Sequence, residues 1–581
     1  MRSSRYNGMK VFFLPALAVM LMVFVISPRA WADVGPRERR QIHALPVNPS
    51  YLEYWEKTRA GDRPNGLIPS PINWSLLKGK TGRGASGLDA TSVDLPRSFD
   101  LVAKNVTPPV KDQLSLGTCW TFGAIEAIES SVISADKTNG THNYKELSEL
   151  HLAYYAYMDE GPDKPAFKAW SDEDEDEDED EANPIFDRGG SAEMVLALLS
   201  RGTGPLAEED APYPKEEDVD DWTTYVPDPP PAKGPAQFRL KNAYYFWNEP
   251  EAIKRALMKF GGLAFAFGIY KDTVSGDCIY TSGDLGSNHE VLLVGWDDDY
   301  PKEAFGPDDQ PRGNGAWKIQ NSWGADAGKD GFYWISYEDG TLFSDNSSLP
   351  IAFEMQPVDA YDGIYFHDPL GMSSVFPDFG ESRLTVANAF VAKRDESIVS
   401  VGFMTAQDDM DYEIQIYRGI PAGGAPDAGS AVFETPVLRH VDDGGGFVSV
   451  QFDSPVRIDK DERFAVAVTY KSLIPDEDFP EVYAPVEAKS VPGYEKAGFN
   501  EGESYVLWFN KEWGDAHDES SLDVLDPNAR GNFCIKAFTV PNDSSGNDSS
   551  GGCDAGIASL LAISMIGAGA LFAGKKIAFH R

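Results

Sequence analysis

Cys119 carries the clearest signature of nucleophilic chemistry in this sequence. A Gly-Thr pair precedes it, and apolar residues then recur at Phe122, Ile125, Ile128 and Val132. This spacing is typical of a helix, so Cys119 is predicted at or next to a helix start. Unpaired backbone N–H groups and the positive end of the helix dipole favour an anion there. The pKa of the thiol is therefore predicted to fall from about 8.5 towards about 4–7.

A thiolate nucleophile needs a proton partner, and that partner needs an orienting group. Of the eight histidines, only His289 has a strand context, because it begins a continuous apolar run that reaches Val294. Such a run is typical of a buried strand, which would place the imidazole at the mouth of that strand. A histidine in this setting is more often structural than catalytic when it stands alone.

Two stretches together resemble the papain-like cysteine peptidases. In the first, the resemblance rests on Gln113, Gly117, the Cys119-Trp120 pair and Phe122. In the second, the sequence Asn321-Ser322-Trp323-Gly324 ends a predicted strand, as in the asparagine segment of that family. Leu116 stands where the family usually has a half-cystine, and Thr118 replaces Ser or Ala. These departures put a family disulfide in doubt but leave the nucleophile in place.

The resemblance implies a Cys-His-Asn site. Asn321 would hold the second ring nitrogen of His289 and fix its tautomer, and Trp323 would cover that hydrogen bond from water. His289 and Asn321 lie farther along the chain from Cys119 than the usual span of about 130–150 residues. Two insertions, the acidic run 172–181 and Tyr300–Asn314, explain the excess and are predicted to be surface loops.

The resemblance also implies residues that bind the substrate. Gln113 and the backbone N–H of Cys119 would bind the oxyanion. The pair Gly189-Gly190 precedes a predicted helix at 192–200 and would hydrogen-bond the main chain of a peptide, since glycine allows close approach. A helix-entry turn is the alternative interpretation of this pair.

Composition limits the classes of partner. The chain has 581 residues and a net charge of −41, which argues against nucleic acid and against anionic membranes as partners. Residues 172–181 are ten consecutive carboxylates, predicted to form a solvated insertion. A calcium site there is the alternative, but the usual Gly turn and ligand spacing are absent. We predict no cofactor and no metal.

Cysteine usage excludes a disulfide scaffold, because the chain has only Cys119, Cys278, Cys534 and Cys553. If Cys119 is a free nucleophile and Cys553 belongs to a terminal signal, Cys278 and Cys534 remain. They could form a bridge between two domains in an oxidising compartment. Two unpaired buried thiols are the favoured interpretation.

Both ends of the chain resemble targeting segments. Residues 1–32 contain Arg2, Arg5, an apolar run and an A-x-A site at 30–32, which predicts a secretory signal peptide, with an uncut membrane anchor as the alternative. At the other end, residues 541–552 form a predicted flexible linker. Residues 553–581 resemble a Synergist-CTERM sorting signal, in which 555–574 would span a membrane before processing; a simple anchor is the alternative. We therefore expect an exported protein at the cell surface or secreted.

The body of the chain divides into three parts. Residues 33–94 are too poor in apolar residues to fold alone. The family resemblance implies an inhibitory pro-region at this position, and a strap packed on the catalytic domain is the alternative. Residues 95–350 would form an α+β papain-like domain with a helical left lobe and a β-barrel-like right lobe. Residues 351–540 change to a period of two between Gly/Asp turns, which predicts an all-β sandwich.

The sandwich resembles the lectin-like domain attached to some bacterial members of the family. Trp508, Trp513 and Tyr505 could stack on sugars, although aromatic residues on strands are usually core, and a docking module is the alternative. The predicted function is an exported cysteine endopeptidase acting on protein or peptide substrates. The alternative is a surface adhesin with an inactive peptidase fold.

Overall fold

The computed structural model describes residues 45–542 except for a set of gaps. These are 60–65, 78–93, 169–184, 220–224, 226, 228–230, 232–233, 235, 248, 271–272, 284, 307–309, 343–347, 378–381, 408–409, 437, 441–444, 473–481, 509–510 and 518–529. The predicted signal peptide, the acidic run, residues 543–552 of the linker and the sorting segment lie outside the described residues. Among the described residues, no helix is long and apolar enough to cross a membrane.

Among the residues that the structure describes, six α-helices lie in the first part of the chain. They are α1 (Pro49–Arg59), α2 (Trp74–Leu77), α3 (Cys119–Asn139), α4 (Glu149–Tyr157), α5 (Ala192–Ser200) and α6 (Pro250–Phe260). Short 3-10 turns occur at Ile185–Asp187, Glu208–Asp210, Glu216–Asp218, Lys302–Phe305, Val358–Ala360 and Pro426–Ala428. The helix predicted at 192–200 is confirmed as α5, whose N-cap Ser191 accepts a hydrogen bond from the backbone of Met194.

Strands dominate the rest of the chain. They are β1 (Ser98–Asp100), β2 (Phe238–Tyr245), β3 (Leu263–Phe267), β4 (Val274–Ser275), β5 (Cys278–Ile279), β6 (His289–Asp297), β7 (Ala316–Gln320), β8 (Phe332–Ser336), β9 (Ile351–Pro357), β10 (Gly363–Tyr365), β11 (Ser374–Pro377), β12 (Arg383–Val391), β13 (Glu396–Thr405), β14 (Met410–Arg418), β15 (Ser430–Glu434), β16 (Leu438–His440), β17 (Gly446–Ile458), β18 (Arg463–Ser472), β19 (Tyr483–Ala488), β20 (Ser504–Leu507), β21 (Trp513–Asp515), β22 (Gly531–Phe533) and β23 (Ile535–Pro541).

A thirteen-stranded sheet runs through both halves of the molecule. Its order is β10-β23-β13-β17-β2-β9-β3-β6-β7-β8-β5-β4, with β1 paired to β6. Strand β6 lies in its first half between β3 and β7, and α3 packs against β3, β6 and β9. Nearly all of β6 is buried, as the continuous apolar run predicts. This sheet and α3 therefore position the ends of the strands at which His289 and Asn321 stand.

The second half forms the predicted sandwich. A seven-stranded sheet, of order β15-β14-β18-β12-β20-β21 with β16 paired to β14, places the inner faces of β14 and β18 in the core. Phe403 on β13 contacts Tyr412 on β14 and Tyr470 on β18, with ring centroids 5.1 and 6.0 Å apart. The two sheets thus pack face to face, and the fold class predicted from sequence is confirmed.

An N-terminal strap, which we define as residues 45–59 and 66–77, lies across the first half. Its helix α1 buries Tyr51 and Trp55. A Cβ at Gly493 of the second half would lie 3.0 Å from the Trp55 ring, and the Tyr51 hydroxyl donates to the Pro492 carbonyl. Contacts with both halves hold the strap on the body of the protein.

Candidate active site

Cys119 is the first residue of α3, as predicted, and its side chain is buried. The backbone groups of Glu290 and Trp120 hydrogen-bond its sulfur. Glu290 directly follows His289, so the start of β6 lies against the nucleophile. The structure thereby brings together two residues that are far apart in sequence.

His289, Asn321 and Trp323 form a compact group. The Nε2 atom of His289 lies 2.8 Å from the Oδ1 atom of Asn321, and both side chains are buried. The Trp323 ring stacks on the imidazole with centroids 5.2 Å apart and planes inclined by 28°. Asn321 Oδ1 also accepts the Ser322 backbone N–H at 2.8 Å, which fixes the amide. An Nε2–H donated to Asn321 would leave Nδ1 as the ring nitrogen able to exchange a proton.

Gln113 is held in a defined orientation. Its Nε2 donates to the Leu116 carbonyl at 2.8 Å, and its Oε1 accepts the Ser322 hydroxyl at 2.7 Å. Its backbone N–H donates to the Ser322 carbonyl at 2.8 Å. A primary amide has two N–H donors, so one bond to Leu116 leaves a second donor for an oxyanion.

Gly190 is occupied by the strap. Its N–H donates to the Gly66 carbonyl at 2.9 Å, and its carbonyl accepts the Ile68 N–H at 2.7 Å, so Leu67 pairs with Gly190 in parallel. Gly66 has a φ of 47°, and a Cβ there would lie 2.8 Å from the Cys119 sulfur. A peptide main chain therefore already runs through the cleft and over the nucleophile.

Gly189 supports this pairing from behind. It has a φ of 74°, and its carbonyl accepts the Tyr157 hydroxyl at 3.0 Å. Gly190 thus pairs with the strap, whereas Gly189 makes the turn before it.

The protonation of the pair in this state differs from the prediction. Burial raises the pKa of the Cys119 thiol to about 12, although backbone hydrogen bonds act in the opposite direction. Burial likewise lowers the pKa of His289 to about 4, against the effect of Asn321. The prediction of a thiolate at neutral pH is therefore wrong for the strap-covered state, because desolvation outweighs the helix N-terminus.

A hydrogen bond joins the loop before Cys119 to the loop that contains Gly189 and Gly190. The Gly117 N–H donates to the Asp187 carboxylate at 3.2 Å. This contact is made beside Leu116, where a family disulfide was placed in doubt. Cys278 and Cys534 are both free and buried, which confirms the favoured interpretation of two unpaired thiols.

Sequence reasoning did not find a buried ionic cluster behind the site. Lys111 Nζ contacts the carboxylates of Glu149 at 2.7 Å and Glu129 at 3.0 Å. Burial alone would lower the pKa of Lys111, but these two glutamates hold it well above its usual value. A signal was available, because Glu126 and Glu129 interrupt the apolar positions of a helix that is almost wholly buried at its start.

The three aromatic residues considered for sugar stacking have different surroundings. Tyr505 is buried, and its hydroxyl accepts Arg463 at 2.9 Å. Trp513 is half-buried and meets the Tyr417 ring edge-on at 6.3 Å. Trp508 is half-buried beside Gly514. Packing thus accounts for Tyr505, while the two tryptophans keep exposed surface.

Family profiles match both halves of the chain. The profile of the papain family cysteine protease matches residues 95–171 and 187–349, and that of the lectin like domain matches residues 364–539. The interruption between 171 and 187 contains the acidic run. Among the described residues, no group of His, Cys, Asp and Glu side chains could hold a metal ion.

Relatives and solved structures match as well. The "Cathepsin B-like cysteine proteinase 6" of Caenorhabditis elegans is 29% identical over 280 residues, which is 45% of this chain and 68% of that protein. A viral cathepsin of Adoxophyes honmai nucleopolyhedrovirus is 29% identical over 241 residues, and the match spans 41% of this chain and 57% of the viral protein.

Similarity over both domains comes from a solved structure. The cysteine protease and lectin-like domains of Cwp84, a surface layer associated protein of Clostridium difficile, align with a TM-score of 0.66 and 26% identity. That alignment covers 86% of this chain and 99% of the other. A second structure of Cwp84, described as following propeptide cleavage, aligns with a TM-score of 0.61 and 26% identity over 77% of this chain and 99% of that one.

Proposed function

We propose that this chain, which carries a papain-family cysteine protease domain followed by a lectin-like domain, hydrolyses peptide bonds with Cys119, His289 and Asn321. The observation that carries the proposal is the junction of α3 and β6. There the backbone of Glu290 bonds the Cys119 sulfur while the adjacent His289 is bonded to Asn321 at 2.8 Å. The residue next to the proposed base therefore lies at the proposed nucleophile, which supports the arrangement that acyl transfer needs.

The reaction begins when the strap has left and water has returned to the cleft. His289 takes the proton of Cys119, and the sulfur attacks the carbonyl carbon of the substrate. The oxyanion is bound by the second N–H of Gln113. His289 then donates its proton to the leaving amine, and the C–N bond breaks to leave a thioester. A water, deprotonated by His289, attacks the thioester and releases the acid with the thiol restored.

The strap is proposed to be an inhibitory pro-region. Its support is the Gly66–Leu67–Ile68 segment, which pairs with Gly190 and lies over the sulfur. In the covered state burial raises the pKa of Cys119 and lowers that of His289, so both groups are neutral at pH 7. The second Cwp84 structure follows propeptide cleavage in that protein.

Labelling by a thiol-directed epoxide together with casein hydrolysis tests the peptidase. The variants are Cys119→Ala and, as matched controls, Cys278→Ala and Cys534→Ala, which remove the two other buried free thiols. We expect Cys119→Ala to abolish both signals and each control to keep more than half of them. Labelling that persists in Cys119→Ala, or an unmutated protein without activity after removal of the strap, would support the adhesin alternative.

Carbohydrate binding is proposed for the lectin-like domain, with export to the cell surface. Support comes from the exposed surface of Trp508, which follows β20, and of Trp513, which begins the edge strand β21. Further support comes from the A-x-A site at 30–32 and from the surface layer association of Cwp84. A glycan array with the full chain and with Trp513→Ala tests the first part. Mass spectrometry of both termini of the exported protein tests the second, with cleavage before Asp33 and near Cys553 as the expected result.

A further inference from the structure

Glu290 places a carboxyl group between α3 and the residue that follows Ser191 after the glycine pair. It follows His289, and its carboxylate accepts a hydrogen bond from the backbone N–H of Ala192, just beyond the glycine pair. A Cβ at Gly123 would lie 3.0 Å from Glu290 Cγ, so this side chain lies against α3 one turn after Cys119. The carboxyl group therefore lies between α3 and the loop that contains Gly189 and Gly190.

Glu193 provides a second carboxyl group beside the first. Its partners are the hydroxyls of Ser191 and of Ser70 in the strap, and its Oε1 atom is buried without a hydrogen-bond partner. Burial raises the pKa of Glu290 well above its usual value, and the charge of Glu193 adds to that effect. In the part of the chain that the structure describes, the groups that most strongly shift the pKa values of these two carboxyl groups include no lysine and no arginine.

The strap marks where a substrate side chain enters. Gly66 lies at the sulfur, and the next residue, Leu67, pairs with Gly190 and is only 2% exposed. A substrate whose main chain pairs with Gly190 thus runs beside Ala192, the residue whose N–H bonds the Glu290 carboxyl group. The strap contributes a neutral leucine here and a neutral serine over Glu193, so neither carboxyl group receives a counter-charge.

We infer that Glu290, with Glu193 beside it, selects a lysine or arginine side chain at the substrate residue that pairs with Gly190. The inference rests on the proposed function. A buried carboxylate is stable only when paired, and a guanidinium group would supply the missing partner with hydrogen bonds. An aliphatic side chain would fill the space without meeting that need.

The same pairing keeps the site electrically neutral. Without a cationic partner, burial holds the pKa of Glu290 well above its usual value, so the carboxyl group keeps its proton. An ionised Glu290 opposes formation of the Cys119 thiolate, and a cationic side chain bound there offsets that charge. Basic substrates therefore gain binding without cost to the thiolate, while neutral substrates meet an uncharged carboxyl group.

The test compares two blocked dipeptide substrates that release a coumarin on cleavage. Both carry alanine at the scissile bond, and the residue before that alanine is either arginine or leucine. The enzyme is the full chain after cleavage of residues 45–93, with active sites counted by titration with a thiol-directed epoxide. We expect kcat/KM to be at least about tenfold higher for the arginine substrate. Glu290→Gln, which keeps the shape and the backbone, is expected to lower that value by about tenfold or more, because a charge pair is lost. The leucine value should change less than about twofold.

Glu354→Gln is the matched control, since Glu354 is a half-buried glutamate on β9 that is bonded to Lys241, and β3 separates β9 from β6. It should leave both substrates unchanged. A preference for leucine, or an equal loss of both activities in Glu290→Gln, overturns the inference while leaving the peptidase in place. Failure to cleave any peptide or casein overturns the proposed function itself.

Discussion

Lys111 is the cation on which two fully buried glutamates depend. It contacts Glu129 and Glu149, and its own side chain is only 9% exposed. Burial raises the pKa of Glu129 to about 7, although the charge of Lys111 acts to lower it. Lys111 lies two residues before Gln113, so the cluster adjoins the segment that leads to Cys119.

Replacement of this cation should strongly destabilise the fold. Lys111→Met leaves Glu129 and Glu149 buried without their partner, and removal of one member of a buried pair typically costs about 3–5 kcal/mol. The free energy of unfolding from urea titration at pH 8 measures the loss. Lys57→Met is the control, because Lys57 forms an exposed i,i+4 pair with Glu53 and should cost less than about 1 kcal/mol. Similar losses in the two variants would contradict the role of the cluster.

Glu208 gives stability a dependence on pH. Burial, and then the charge of Glu149, raise its pKa to about 8, while its carboxylate accepts the Tyr213 N–H. The folded state thus holds a proton that the unfolded chain has lost above about pH 4.5, so this group makes stability fall as pH rises from about 4.5 to 8. Glu208→Gln should flatten the decline of Tm across that range. An unchanged slope, measured by calorimetry at pH 5, 6.5 and 8, would contradict the assignment.

At the scale of elements, the strap controls access to the nucleophile. Gly66→Ala would place a methyl group 2.8 Å from the Cys119 sulfur at a φ of 47°, so the strap must shift off the cleft. We expect at least about tenfold faster alkylation of Cys119 at pH 8, because water reaches the thiol and its pKa falls from about 12.

Gly140→Ala supplies the matched control for this change. Gly140 also has a positive φ, of 69°, but a side chain there meets nothing within 4 Å. It carries a comparable backbone strain away from the cleft, so its alkylation rate should equal that of the unmutated chain. Equal acceleration in both variants would mean that general loosening, and not the strap, exposes the sulfur.

Local periodicity predicted many of these helices and strands, but it did not predict which distant segments pair. The 3.6-residue pattern gave α5, and the alternation of Val399, Val401 and Phe403 gave β13. The pairing of Leu67 with Gly190 carries no such pattern, because it joins an irregular segment to a loop. Local sequence did not predict the raised pKa of Cys119 either, since burial of the sulfur depends on tertiary packing.

At the scale of the molecule, one sheet and several buried contacts join the two domains. Strand β17 of the second half pairs with β2 of the first through Gly446 and Phe447. Arg201, which is fully buried, donates to the carbonyls of Pro369 at 3.2 Å and Pro165 at 2.7 Å. A sequence division at 350/351 could not anticipate this continuity, because β9 follows that boundary and yet pairs with β2 and β3.

The second domain should therefore help to retain the strap. Trp55 on α1 packs beside Gly493 of the second half. Trp55→Ala removes that buried contact, and such truncations typically cost about 3–5 kcal/mol. Because the loss falls on the strap alone, we expect Cys119 to be alkylated at least about tenfold faster with the cleft residues unchanged. Leu52→Ala, on the same helix but 40% exposed, is the control and should stay within about twofold of the unmutated rate. If Trp55→Ala labels no faster than Leu52→Ala, the lectin-like domain does not anchor the strap, and the contacts at Gly190 alone hold the cleft closed.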